Sequence, residues 1–222
     1  MNEDLKEARE SIVRVVSSAA KELEEEMSLK DYLVMISRRI VKEAGDAILS
    51  IHGEKLEEAL RHLEEAEALL REAMDKVGSS IKYMHQGPLV HAIQEYVEAL
   101  VFLKLTKGLD VPTHKDLRIP VQPFIYGLAE VAGEVRRRVL DLLRKDDVDE
   151  AARWLEVLED LYGALRGLEL YRGVIDDIKW RVDSVRKTLE ATRGDLTLAI
   201  QRKRMRDDMR RLEEKLRGIG TW

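Results

Sequence analysis

The segment His91-Ala92-Ile93-Gln94-Glu95-Tyr96-Val97-Glu98-Ala99-Leu100 holds the residues best suited to chemistry. Glu95 and Glu98 are three apart, so on a helix their Cβ atoms lie about 5–6 Å apart on one face. His91 stands one turn before Glu95, on the same side. Ile93, Val97, Leu100 and Val101 are apolar, so this helix is expected to be largely buried. Two carboxylates entering a partly buried site repel each other and lose hydration unless a cation compensates. Magnesium, a hard ion that prefers oxygen ligands, is the natural partner. The same spacing is common on solvated helices, and alone it leaves that alternative open.

Several other chemistries are excluded. There is no cysteine, hence no disulfide, no thiolate zinc site and no cysteine nucleophile. The sequence contains no GxxxxGK[ST], HExxH or GxSxG pattern, and its five histidines are scattered. No stretch approaches the roughly 18 apolar residues of a membrane span. The start, Met1-Asn2-Glu3-Asp4, is acidic and has no apolar signal region, so a cytoplasmic location is expected. The net charge of −5 hides an asymmetry: from Tyr171 to Trp222 there are 14 basic and 9 acidic residues, against 24 and 34 in the rest. Such a basic segment suits phosphates or an acidic neighbouring subunit, with a solvated helix face as the plain alternative.

These residues must be held by helices. Hydrophobic residues make up 45% of the chain, aromatics only 5%, and prolines number four, which favours helices over a β-sandwich or barrel. A first helix carries Ile12, Val15, Val16 and Ala19. Ser28 with Asp31 reads as a capping box, predicting a second helix from about Leu29 to His52, ended by Gly53. A Glu/Leu-rich helix with Leu56, Leu60, Leu63, Leu70 and Met74 is expected to end at Gly78-Ser79-Ser80. Pro88 to Lys107 forms the helix of the glutamate pair, and an irregular stretch with Pro112 and Pro120 follows. Further helices run from about Pro123 to Leu143, Val148 to Leu168, and Val174 to Arg217, the last with a break near Gly194. The reading is an all-α, single-domain bundle of about seven helices, with no fixed-period repeat.

Four segments in chain order resemble the translin family. They are Ile40 to Leu70 with its Ile51-His52-Gly53 turn; Gln94-Glu95-Tyr96-Val97-Glu98-Ala99; Tyr126-Gly127-Leu128-Ala129-Glu130 with Gly133-Glu134-Val135-Arg136-Arg137; and Ile178-Lys179-Trp180-Arg181-Val182-Asp183 with Thr192-Arg193-Gly194-Asp195-Leu196. The second is similar to the Gln-Glu-Tyr-Val-Glu-Ala segment of the Trax (translin-associated factor X) branch. Together they span about residues 30–200 and leave 201–222 as a basic extension.

The resemblance implies an all-α fold that assembles into hollow octamers around single-stranded nucleic acid, here a homo-octamer. It implies a Mg²⁺-dependent endoribonuclease (Mn²⁺ being a possible substitute) with single-stranded RNA as substrate. Glu95 and Glu98 occupy two of the family's carboxylate positions. Ungapped counting puts the third at Gly163, after Tyr162, where no side chain can bind a metal; Asp160, three residues earlier, is the expected replacement, with Glu159, four earlier, able to project from the same face. Without a third carboxylate the chain would be a binding protein only, for RNA or single-stranded DNA. Arg136, Arg137, Arg181, Arg186 and Lys187 are the expected nucleic-acid contacts. Tyr83, Tyr96 and Trp180 are the possible stacking platforms.

Overall fold

A computed structural model describes residues 3–78, residue 83 and residues 87–219. Among them are six α-helices and no strand: α1 (Glu3–His52), α2 (Leu56–Val77), α3 (Pro88–Thr106), α4 (Val121–Arg144), α5 (Val148–Arg166) and α6 (Ile178–Ile219). A 3₁₀ turn, Gly167–Tyr171, precedes α6. Ser79, Ser80 and His85 lie outside the described residues.

Two expected breaks are absent. Ser28 and Asp31 sit inside the continuous α1, with no glycine or proline nearby to stop it. The Glu22–Glu26 run consists of good helix formers and carries the helix across. Likewise α6 passes through Gly194. Salt bridges hold it on both sides, from Arg193 to Glu159 at 2.7 Å and from Arg136 to Asp195 at 2.8 Å. The remaining boundaries follow local rules. Asp147 caps α5 by accepting from the Glu150 N–H, Pro88 opens α3, and Gly78, at φ +58°, ends α2.

The helices α1, α3, α4 and α6 run in one direction, with α2 and α5 antiparallel to them. Helix α1 packs on α2 and α3, α3 on α4, and α4 on α5 and α6. The connection from 107 to 120 returns the chain to the start of α3, which is why α3 and α4 are parallel. Small residues allow close packing: Ala44 and Ala47 of α1 and Ala59, Ala66 and Ala73 of α2 are fully buried. Helix α3 lies deepest. Leu89, Ile93, Tyr96, Val97, Val101 and Phe102 are all in the core, and this burial turns a glutamate on α3 into an electrostatic problem.

Candidate metal centre

Gly127 sets the spacing of the site. A Cβ at this position would stand 2.6 Å from the Gln94 carbonyl oxygen and 2.7 Å from the Val97 Cβ, so only glycine lets α4 come this close to α3. Three residues on, one turn of α4 aims Glu130 at the pair on α3. The carboxylate oxygens of Glu95, Glu98 and Glu130 then all lie within 4.8 Å of one another. Glu98 is buried, and Glu95 and Glu130 are partly so.

This burial shows in the protonation equilibria. Loss of hydration, followed by the charges of Glu95, Glu130 and Glu134, pushes the Glu98 carboxyl up from 4.5 to about 8. Glu95 is raised for the same first reason, with His91 pulling in the opposite direction. His91 Nε2 is 3.6 Å from Glu95 and reaches out to solvent. Among the described residues no lysine or arginine pairs with Glu95 or Glu98. The one cation that enters is Arg181, which donates to Glu130 at 2.8 Å and lies over the Tyr126 ring, 3.7 Å from its centroid. Behind the trio, His52 Nε2 meets Glu134 at 2.5 Å, while its ring packs on Phe102.

Three carboxylates with one net neighbouring cation form an all-oxygen donor set of high negative charge, which is the donor chemistry of magnesium or manganese. The residues present therefore fit a divalent ion.

The structure brings together Glu95 and Glu98, as the spacing predicts, but it does not bring Asp160 to them. Asp160 is exposed on α5, and its neighbour Glu159 is engaged by Arg193. The ungapped count led to α5, whereas the helix packed against the glutamate pair is α4. Glu130 and Glu134, four apart in Glu130–Glu134, are the carboxylates that sequence reasoning passed over. Both stand in a motif already noted beside Gly127.

The five expected cationic contacts divide. Arg136 bonds Thr192 at 3.1 Å and Asp195 at 2.8 Å, tying α4 to α6, and Arg181 is committed to Glu130. Arg137, Arg186 and Lys187 are exposed. Arg186 contacts Asp183 and Glu190 on its own helix. Of the aromatic platforms, Tyr96 is buried and Trp180 is 68% exposed. Trp180 borders a cleft of about 230 Å³ that Glu130, Gly133, Arg181 and Ser184 also line.

In a second group, Glu43, Asp46 and His62, the ligand atoms also lie within 4.8 Å of one another, on the outer face of α1 and α2. It already has a cation: Lys42 Nζ is 2.7 Å from Asp46 and 3.4 Å from Glu43. No helix among the described residues is long and apolar enough to cross a membrane.

No family model matches the sequence. The uncharacterized protein MJ0175 of Methanocaldococcus jannaschii is 31% identical over 189 residues, which span 84% of this chain and 83% of that protein. Among solved structures, AfC3PO bound to duplex RNA and AfC3PO itself are each 28% identical with a TM-score of 0.73. The matches cover 83% of this chain and 95% and 96% of theirs. The structure of apo-NeC3PO, 23% identical, shares the fold with a TM-score of 0.74 over 83% of this chain and 96% of its own. These archaeal C3PO proteins are members of the translin/Trax superfamily, as the four sequence segments implied. With a relative 31% identical across most of both chains and the C3PO fold shared over 83% of its length, this chain belongs to the translin/Trax family.

Proposed function

We propose that the chain is a magnesium-dependent endoribonuclease for single-stranded RNA, working as one translin-like domain within a homo-oligomeric cage, most simply an octamer. The observation that carries this reading is the buried carboxylate trio. Glu95, Glu98 and Glu130 converge where hydration is lost and compensating charge is scarce, an arrangement that is costly without a cation and useful with one.

A divalent ion held there supplies Lewis-acid stabilisation of a phosphoryl oxygen and an acidified water. The chain's own residues supply the rest. Glu95 and Glu98 from α3 and Glu130 from α4 would hold the ion, and the close approach of α4 to α3 at Gly127 brings the donor set together. Arg181 orients Glu130 and lends positive charge to the cleft. Exposed Arg137, Arg186 and Lys187 take phosphates, and Trp180 at the cleft rim offers a face for a base. His91 Nε2, beside Glu95 and open to solvent, can hold or release a proton at the edge of the site.

Gly163 offers no ligand atom, and in this reading Glu130 takes the place of the third carboxylate that a nuclease needs. That AfC3PO has been solved with duplex RNA supports an RNA ligand for this chain as well. Labelled single-stranded RNA incubated with the protein in Mg²⁺ and then in EDTA tests the reading. Cleavage in Mg²⁺ that EDTA stops is expected. Salt-sensitive retention of uncut RNA under both conditions would instead assign a binding protein.

A further inference from the structure

Both long helices overrun the bundle, and they do so at opposite ends. The C-terminal end of α1 lies by the α4–α5 turn, where Lys145 is 3.0 Å from Glu54. Its N-terminal arm therefore projects from the far end, about 36 Å away at 1.5 Å per residue over residues 28–52. Every residue from 6 to 25 is exposed. Helix α6 leaves from the end that α1 reaches last. Lys203 contacts Asp149, Arg206 contacts Asp146, and residues 208–217 are all exposed.

Each arm carries an apolar seam that no other described residue covers. On α1, Ile12, Val16, Ala19 and Leu23 follow one another at intervals of four, three and four. On α6, Met205, Met209, Leu212 and Leu216 repeat the same intervals. This is the a/d spacing of a coiled coil. The large members are wasted on solvent: Ile12 is 62% exposed, Val16 61%, Met209 58% and Leu216 59%. The net charges of the two arms are opposite. Residues 3–28 hold eight acidic and four basic side chains, and residues 200–217 hold four acidic and eight basic. The AfC3PO match covers 95% of that chain but 83% of this one, so this chain carries residues beyond the shared bundle.

We infer that the α1 arm of one copy pairs with the α6 arm of a second copy, as a coiled-coil contact between subunits. Matching spacing lets the two seams interdigitate, and opposite net charge favours this pair over α1 with α1 or α6 with α6, where the net charges of the two arms repel. The two arms of one chain cannot meet, because the bundle stands between them. RNA would account for the basic residues of α6 but not for its four-residue apolar seam, nor for the matching seam on α1. The contact adds to the assembly proposed above and is independent of what the carboxylates do.

The absence of native cysteine makes the test direct. In the full-length Val16→Cys/Met209→Cys double variant, a bis-maleimide with a reach longer than one heptad, about 10 Å, tolerates a shift in register. Covalent species of two or more chains are expected, with peptide mass spectrometry showing α1 joined to α6. Predominant α1–α1 or α6–α6 links, a link within single chains, or no link would overturn the inference. Charge reversal gives a second reading in the same background. Glu22→Lys/Glu24→Lys/Glu25→Lys should cut the cross-link yield at least tenfold, and adding Arg204→Glu/Arg210→Glu/Arg211→Glu should restore it. If the α6 reversal alone weakens RNA retention while the cross-link yield is unchanged, the arm belongs to RNA and the inference fails. None of these measurements reads cleavage, so an inactive protein would leave this result intact.

Discussion

Two carboxylate clusters in this molecule are alike in composition and opposite in electrostatics. The outer one joins Glu43 and Asp46 of α1 to His62 of α2, and the inner one joins Glu95 and Glu98 of α3 to Glu130 of α4. In the outer cluster His62 Nδ1–H donates to Glu43 at 2.6 Å and Lys42 Nζ meets Asp46 at 2.7 Å. Both carboxyls are held below their ordinary values, Glu43 chiefly by the His62 hydrogen bond and Asp46 by that of Lys42. In the inner cluster Glu98 is pushed up because burial strips its water and the charges acting on it are other glutamates, and burial pushes Glu95 up against the pull of His91. Proximity of acidic ligands is therefore a poor guide to a metal site. What distinguishes the inner group is a charge that the protein leaves uncompensated.

Removing one inner carboxylate should have the largest effect. Glu98→Gln keeps the shape and takes away the charge. Loss of a direct ligand should lower Mg²⁺-dependent cleavage by about a hundredfold or more, since even residues behind a metal's ligands are typically worth 10–100-fold. RNA binding, carried by exposed cations, should persist in a filter or gel-shift titration. Without metal the variant should melt higher than the wild type at pH 8, because a strained charge has gone. Full cleavage by Glu98→Gln would sink the inner cluster as the reaction centre.

The pH dependence of stability sets the two clusters against each other. The folded-state pKa of Glu98 lies above the unfolded one, so the stability it contributes is complete below about pH 4.5 and is lost as pH rises through 8. A shift of this size corresponds to roughly 4–5 kcal/mol. Glu43 and Asp46 act in reverse: their contribution is present above the unfolded carboxyl range and is lost as pH falls. Metal-free protein should therefore lose melting temperature between pH 5 and pH 8, and Glu98→Gln should flatten that limb. Saturating Mg²⁺ should raise the wild type most at pH 8, since an ion bound to the folded state stabilises by mass action. A metal-free melting temperature that climbs from pH 5 to 8 in the wild type would contradict the burial of this charge.

How much of this was legible in the sequence depends on distance along the chain. Glu95 and Glu98 share one turn of one helix, so spacing alone paired them. The apolar residues around them announced burial correctly, as the full enclosure of Ile93 and Val97 shows. Glu130 lies on another helix, and nothing in the local pattern says which helix α3 will face. A third ligand sought on α5 went to Asp160, which is exposed there and is not among the carboxylates grouped with Glu95 and Glu98. The hint was Gly127, a glycine inside a helical pattern without a turn to explain it, whose missing Cβ is the space α3 occupies. Helix ends were mostly readable, but Ser28–Asp31 was not a cap. A capping pair acts only where the backbone already departs from the helix, and neither glycine nor proline obliges α1 to do so there.

The same glycine gives the next prediction. In Gly127→Ala the new methyl meets backbone and β-branched atoms that cannot swing aside, so α4 must move off α3. The gain in helix propensity, about 1 kcal/mol, offsets part of an overpacking cost of roughly 1–3 kcal/mol. Stability should fall modestly, while Mg²⁺ or Mn²⁺ affinity by calorimetry should fall more, because Glu130 travels with α4. The outer cluster lies on α1 and α2 and should be unaffected. Unchanged metal affinity would remove α4 from the site.

The smallest effect is expected at the outer cluster, and it is the cleanest control. His62→Gln loses the short bond from Nδ1 to Glu43, a bond to a charged group worth about 1.5–3 kcal/mol where fully buried and less here, at the half-open edge of α1 and α2. Lys42 remains 3.4 Å from Glu43 and 2.7 Å from Asp46, so neither carboxylate is left without a cation beside it. The cost should be about 1 kcal/mol, which for a chain of this length lowers the melting temperature by roughly 2–4 °C. Most of that loss should vanish as pH falls through the lowered pKa of Glu43, since the carboxyl that the imidazole holds ionised is then protonated in wild type and variant alike. Cleavage in Mg²⁺ should be unchanged, because the inner carboxylates on α3 and α4 share no ligand with this group. A tenfold drop in cleavage with normal folding would mean that His62 belongs to a second metal centre, and that Lys42 occupies an ion's place instead of making the ion unnecessary.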